Sequence, residues 1–173
     1  YACSPYRGSE CAVGWHRAVG AAAAYETWVI CEGAWCGPDI ERYLSEHGKV
    51  PGLHFELVHK GPLLRTLGRV PGLYYLAYNL WHRRAFAAAQ RLHRQRPFSL
   101  VHQATFCGYR EPGYGARLGV PFVWGPVGGT QNYPWRFLSE AGPIGAAREL
   151  LRSMLNRVQL RAGPRARRAV RTA

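Results

Sequence analysis

The stretch Tyr1-Ala2-Cys3-Ser4-Pro5-Tyr6-Arg7-Gly8-Ser9-Glu10-Cys11-Ala12-Val13-Gly14-Trp15 decides how the whole chain is read. It has the pattern of the tail of a buried strand, a tight polar loop and the first turn of a helix. Pro5 cannot donate to a ladder and fixes its own φ, so the strand is expected to stop by Ser4. Gly8 permits a turn that a side chain hinders, and Ser9 suits the N-cap of a helix beginning near Glu10. A loop of this kind aims free N–H groups and the positive end of a helix dipole at one spot, which suits phosphate or another anion. An ordinary strand-to-helix turn needs the same residues, so the rest of the chain has to decide between the two.

Downstream, apolar runs alternate with helical periodicity. A helix is expected over 10–23, a strand over 26–31 (ETWVIC), a short helix from Asp39 to about Glu46 after Gly37-Pro38, and a strand over 53–59 (LHFELVH). Residues 60–71, with two glycines and two prolines, read as a loop with one turn near 63–67. A long helix over 72–95 stops at Arg96-Pro97, because proline disfavours helix in the residue before it. Strands are expected at 98–102 and 121–124, a short helical piece at 109–118, an amphipathic helix at 144–160 and a last helix at 164–173. Such alternation means an α/β domain with a mainly parallel sheet, its strand carboxyl ends on one edge. In such sheets ligands bind outside those ends. The loop at 4–10, the turn after His102 and the Gly-rich loop Gly125–Thr130 all fall there, and together they argue for a cleft.

The chain has 173 residues, 47% of them hydrophobic and 19% charged, which fits a globular domain rather than a disordered one. No apolar run reaches the roughly 20 residues of a membrane helix, and no basic leader with an apolar core opens the chain. Without an initiating Met and with a strand tail at residue 1, the expectation is a piece of a longer protein whose first and last strands are cut short. Five cysteines at irregular spacing, three of them in or beside strand-like runs, fit small buried thiols in a reducing compartment better than a disulfide framework or a zinc site. No metal is expected.

The net charge is +13, and eight arginines stand against one acidic residue, Glu149, in residues 148–173. Such a tail can serve an anionic lipid surface or a nucleic acid, or simply be the solvated side of terminal helices. No interleaved aromatics or nucleic-acid motif accompanies it, which argues against RNA.

Three runs then agree in order. They are Ala-Cys-Ser-Pro-x-x-Gly-Ser-Glu-x-x-Val-Gly-Trp at 2–15, Arg-Pro-Phe-x-Leu-Val-His at 96–102 with Thr105-Phe106, and Gly-Val-Pro-Phe-Val-Trp-Gly-Pro-Val-Gly-Gly at 119–129. Together they resemble bacterial family 4 glycosyltransferases, retaining enzymes of the GT-B fold with two Rossmann-like domains across a cleft. The resemblance covers nearly the whole chain and implies one incomplete Rossmann-like domain over 1–173, the N-terminal, acceptor-side half. It implies transfer of a sugar from a nucleotide-sugar donor to a hydroxyl acceptor, such as a lipid-linked or polysaccharide precursor, with no cofactor besides the donor. The nucleotide-binding C-terminal domain lies outside these residues, so the fragment alone is expected to be inactive. The location implied is cytoplasmic, with peripheral contact to an anionic inner membrane face.

By the same resemblance, Gly8 and Ser9 lie near the donor diphosphate. Glu10 is either a helix-terminal acid or an acceptor-contacting carboxylate. His102 is the candidate catalytic histidine, or else a satisfied histidine at a strand end; the family's better-known histidine falls two residues further on, where this chain has Ala104. Thr105, Arg110, Gly128 and Gly129 are candidate cleft residues, with Tyr109 beside them. Two readings of other classes compete: a non-catalytic Rossmann-type module binding a dinucleotide, and a basic nucleic-acid-binding protein. The first lacks G-x-G-x-x-G, and Glu32 is the nearest to a ribose-binding acid.

Overall fold

A computed structural model describes residues 1–173. The chain forms α1 (Glu10–Ala22), β1 (Thr27–Glu32), α2 (Gly33–His47), β2 (Leu53–Val58), α3 (Gly61–Leu67) and α4 (Tyr74–Gln95). It continues through β3 (Val101–Gln103), a 3-10 turn at Gly115–Arg117, β4 (Phe122–Trp124), a 3-10 segment at Trp135–Ala141, α5 (Gly142–Ala162) and α6 (Pro164–Thr172). This is an α/β chain with parallel pairing throughout: β1 pairs with β2, Thr27 opposite Leu53, and β3 pairs with β4, Val101 opposite Phe122.

The first residues join the two pairs. The Glu32 N–H donates to the Tyr1 carbonyl at 3.0 Å. On the other side the Thr105 hydroxyl donates to the Ala2 carbonyl at 3.2 Å and accepts from the Ala2 N–H at 3.3 Å. Residues 1–3 thus touch β1 on one side and, through the Thr105 side chain, the exit of β3 on the other. Cys3 and Ser4 are almost wholly buried.

Alternation then sorts the faces. Val29 and Cys31 of β1 and Phe55 and Leu57 of β2 point into a cluster with Cys3, Trp15 of α1, and Cys36 and Ile40 of α2. The opposite face of β2 meets α4, where Arg91 pairs with Glu56 at 2.5 Å and the Trp81 indole donates to the Val58 carbonyl at 2.7 Å. Burial of side chains such as Trp15 and Ile40 contributes about 1.5–3 kcal/mol each. Gly14 sets how close α1 comes: a Cβ there would lie 2.1 Å from the Ala2 carbonyl oxygen.

Several expectations are corrected. Gly37-Pro38 does not separate β1 from its helix; α2 starts at Gly33 and runs through Pro38. Its first turn is capped by Glu32, whose carboxylate accepts from the Trp35 N–H at 2.8 Å. The expected strand at 98–102 shrinks to Val101–Gln103, since β4 opposite it is only three residues long. Residues 109–114 form a turn at 109–110 and irregular chain rather than a helix, and only Gly115–Arg117 makes a 3-10 turn. Ser9 holds the N-cap position without capping: its φ is 56° and its side chain makes no cap bond. All five cysteines are free and buried.

Candidate functional site

At the carboxyl edge of the strands, two loops 96 residues apart meet. The Glu10 carboxylate accepts from the backbone N–H of Phe106 at 3.0 Å. Phe106 is itself unusual, with φ 51°, and its carbonyl accepts from the Tyr78 hydroxyl at 3.0 Å. Its ring packs at 4.8 Å against Tyr1. Ser9 and Phe106 are the two non-glycine residues with positive φ in the chain. Each such residue costs on the order of 1–3 kcal/mol and persists where its surroundings over-determine it. Both flank the single bond that ties the first loop to the third strand's exit.

The first loop is held from below and open above. Ser4, fully buried, donates to Asp39 Oδ2 at 2.6 Å and accepts from the Tyr6 N–H at 3.1 Å. Arg7 Nε adds a second bond to the same carboxylate oxygen at 2.5 Å. The Arg7 bond first, and then the Ser4 hydroxyl, hold the Asp39 carboxyl below its usual range. A Cβ on Gly8 would meet nothing within 4 Å. The first N–H groups of α1 have no intrahelical partner by geometry, and Ser9 does not take one. The edge thus presents open backbone N–H groups, the positive end of α1 and the half-exposed Arg7 guanidinium. Arg7 is a residue that motif reading does not single out; its place beside Gly8 is the one signal for it in the sequence.

The Gly-rich loop lies beside the same exit. The Gly128 N–H donates to the Cys107 carbonyl at 2.9 Å, and the Gly128 carbonyl accepts from the Tyr109 N–H at 3.2 Å. Gly129, with φ 82°, passes 3.5 Å from the Tyr109 ring measured from its would-be Cβ, a left-handed position that favours glycine. Gly8, Ser9 and Glu10 are therefore linked to residues 105–109, and these in turn to Gly128 and Gly129.

Three candidates stand differently. Thr105 is buried, and its hydroxyl is spent on Ala2. Arg110 lies against α5, with Nε on Gln159 Oε1 at 2.9 Å and a terminal nitrogen on Asn156 Oδ1 at 2.5 Å. His102 sits mid-strand on an exposed face, where Nε2 lies 3.3 Å from the Gly125 carbonyl oxygen. Neither Arg110 nor His102 bonds to the first loop.

Glu32 ends β1, yet it is buried, and its carboxylate is occupied by the N–H groups of Trp35 and Lys60. Burial pushes the Cys3 thiol up to about 12 and Cys107 up to about 11. Hydrogen bonding with Cys31 lowers the Cys36 thiol, but at 1% exposure it is closed to solvent. No group of three His, Cys, Asp or Glu side chains is arranged to hold a metal ion. No helix is long and apolar enough to cross a membrane. No protein-family model, no curated protein and no solved structure matches this chain.

Proposed function

We propose that this chain is the acceptor-side, Rossmann-like half of a retaining GT-B glycosyltransferase, which moves a sugar from a nucleotide-sugar donor to a hydroxyl acceptor. The observation that carries the reading is the Glu10–Phe106 bond, which joins the open Gly8–Ser9 loop to the exit of β3 at one sheet edge. The bonds of residues 1–3 to Glu32 and to Thr105 support it: counting residues 1–3 as a first strand between the two parallel pairs would give the doubly wound order 3-2-1-4-5.

In this reading the donor diphosphate approaches Gly8 and Ser9. Negative charge that grows on the leaving phosphate is met by open backbone N–H groups and by the α1 terminus, already in place and needing no reorganisation. Arg7, oriented by its ion pair with Asp39, offers its remaining N–H donors. Glu10 is a positioning residue here, since its carboxylate holds Phe106. The nucleotide wall belongs to a second α/β domain beyond these residues. The dinucleotide reading is disfavoured by Glu32, which is buried and whose two carboxylate oxygens accept from the Trp35 and Lys60 N–H groups.

Full-length protein should release nucleoside diphosphate from some member of a donor panel only when acceptor is present. Gly8→Val fills open space, so thermal unfolding should be unchanged while transfer is abolished. Transfer at the normal rate in that variant would remove the loop assignment. Absence of acceptor-dependent release across the panel would remove the activity itself.

A further inference from the structure

Away from this edge, α4, the 3-10 turn at Gly115–Arg117 and α6 border an open surface cavity of about 380 Å³ lined by Asn79, Arg83, Phe86, Tyr114, Arg117 and Arg165. Three guanidiniums from three separate elements converge there on one ring. Arg83 Nε donates to the Tyr114 hydroxyl at 3.1 Å, and that hydroxyl donates to Asn79 Oδ1 at 3.2 Å. The guanidinium carbons of Arg117 and Arg165 lie 5.0 and 4.7 Å from the Tyr114 ring centre. A smaller adjoining cavity of about 140 Å³ adds Arg168.

The charges do not balance. The carboxylate within reach is Glu111, which is buried and already bound by Arg165 through both terminal nitrogens and by Asn79 Nδ2 at 3.1 Å. Glu111 thus neutralises Arg165. Arg83 and Arg117 take part in no ion pair, and beyond the single Arg83 Nε bond their N–H groups make no protein hydrogen bond. Two fork-shaped donors with two uncompensated charges face one cavity, beside an aromatic wall of Phe86 and Tyr114. Guanidinium forks match the oxygens of a phosphate group two at a time. A phosphate monoester carries close to two negative charges near neutral pH.

We propose that this cavity binds the phosphate of an organic phosphomonoester, with Arg83 and Arg117 as the ligands of the phosphate and Phe86 beside its organic part. The site is independent of the transfer reading above. The same chemistry is presented by a water-borne monoester and by a phosphatidate headgroup, so the test carries both.

The whole chain is titrated by calorimetry with phenyl phosphate and, separately, with a short-chain phosphatidate below its micelle concentration. Saturable binding of either ligand is expected, weakened at least tenfold in Arg83→Gln/Arg117→Gln. It should be unchanged in Arg65→Gln/Arg69→Gln, which removes the same charge from exposed positions in and just after α3, outside the cavity. Binding of phenyl phosphate identifies a water-borne ligand; binding of phosphatidate alone identifies a lipid headgroup. Both arginines of the first pair are on the surface, so unchanged unfolding of that variant is the check on its fold. Equal weakening in the two pairs would reduce the effect to net charge and overturn the proposal, as would no weakening in the first pair or no binding of either ligand.

Discussion

At the scale of single residues, two positions carry consequences larger than their size. Gly14 lets the α1 backbone lie directly on residues 1–3. In Gly14→Ala the new methyl would need the Ala2 carbonyl oxygen to move, and that oxygen already accepts from Thr105. Overpacking against backbone costs typically 1–3 kcal/mol and sometimes more, so a loss of about 3 kcal/mol is expected in urea unfolding. His82 is the second. Burial lowers its pKa from 6.5 to about 3, and its Nε2 has no hydrogen-bond partner. Between those two values the unfolded chain takes up a proton that the folded chain refuses. The stability that depends on neutral His82 is therefore complete above pH 6.5 and is lost progressively as pH falls toward 3. The expected slope is a few kcal/mol over that window. His82→Phe should flatten the unfolding midpoint between about pH 7 and about pH 4.5; an equally steep fall in the variant would assign the acid sensitivity to other groups.

At the scale of elements, α5 is turned inside out relative to an ordinary surface helix. Its buried contact is Asn156, whose side chain accepts from Tyr109 and Arg110 and donates to Asn132 at 3.3 Å. Its outward stripe is apolar: Leu151, Met154, Leu155 and Val158 are each about half exposed, with Trp135 and Phe137 exposed just before the helix. Arg157 and Arg161 share the exposed side with them. An apolar stripe with arginines beside it and aromatics at its start has the make-up of an interfacial helix, which fits the proposed peripheral contact with an anionic membrane. Vesicles containing anionic lipid should sediment the chain at low salt, and neutral vesicles should not. Leu151→Asp/Leu155→Asp should lose that binding at least tenfold without altering unfolding, because neither side chain packs in the core. Equal sedimentation of the variant would remove α5 from the contact.

Elements are legible in the sequence where local chemistry governs them. α1, β1, β2, α4 and α6 lie within about two residues of where periodicity and Pro or Gly punctuation put them, and α5 begins two residues early. Legibility fails where a distant partner decides. Pro38 has the look of a stop, yet it sits inside a helix because Glu32 caps the turn before it. The reach of β3 depends on the length of β4, which lies some twenty residues further on. In the candidate site, Gly8, Ser9 and Glu10 are readable as a loop, but their junction with Phe106 is not, since no local pattern encodes a bond across 96 residues. The meeting of Arg83, Arg117 and Arg165 is hidden in the sequence for the same reason.

At the scale of the whole molecule, the two strand pairs share no ladder of their own, and residues 1–3 are what lies between them. The link on the β3 side is a side chain rather than a backbone. In Thr105→Val the shape is kept, but the buried N–H and C=O of Ala2 both lose their partner. Unsatisfied buried groups cost about 1–3 kcal/mol each, so a drop of about 3 kcal/mol is expected. Amide exchange should accelerate most at Ala2 and across β3 and β4, while β1 and β2 keep their protection; uniform acceleration would mean that Thr105 is no special junction.

That junction also constrains the order of assembly. Tyr1 to Ser4 are made before the groups that hold them, which arrive with Glu32 and only much later with Thr105. A growing chain can settle α1, β1, α2 and β2 around Trp15 and Ile40 while the far flank of residues 1–3 stays bare. Closing that flank means bringing together positions 103 residues apart, a slow step governed by loop closure. Until then, that flank is an unpaired edge, where a chaperone or a neighbouring nascent chain has its opening.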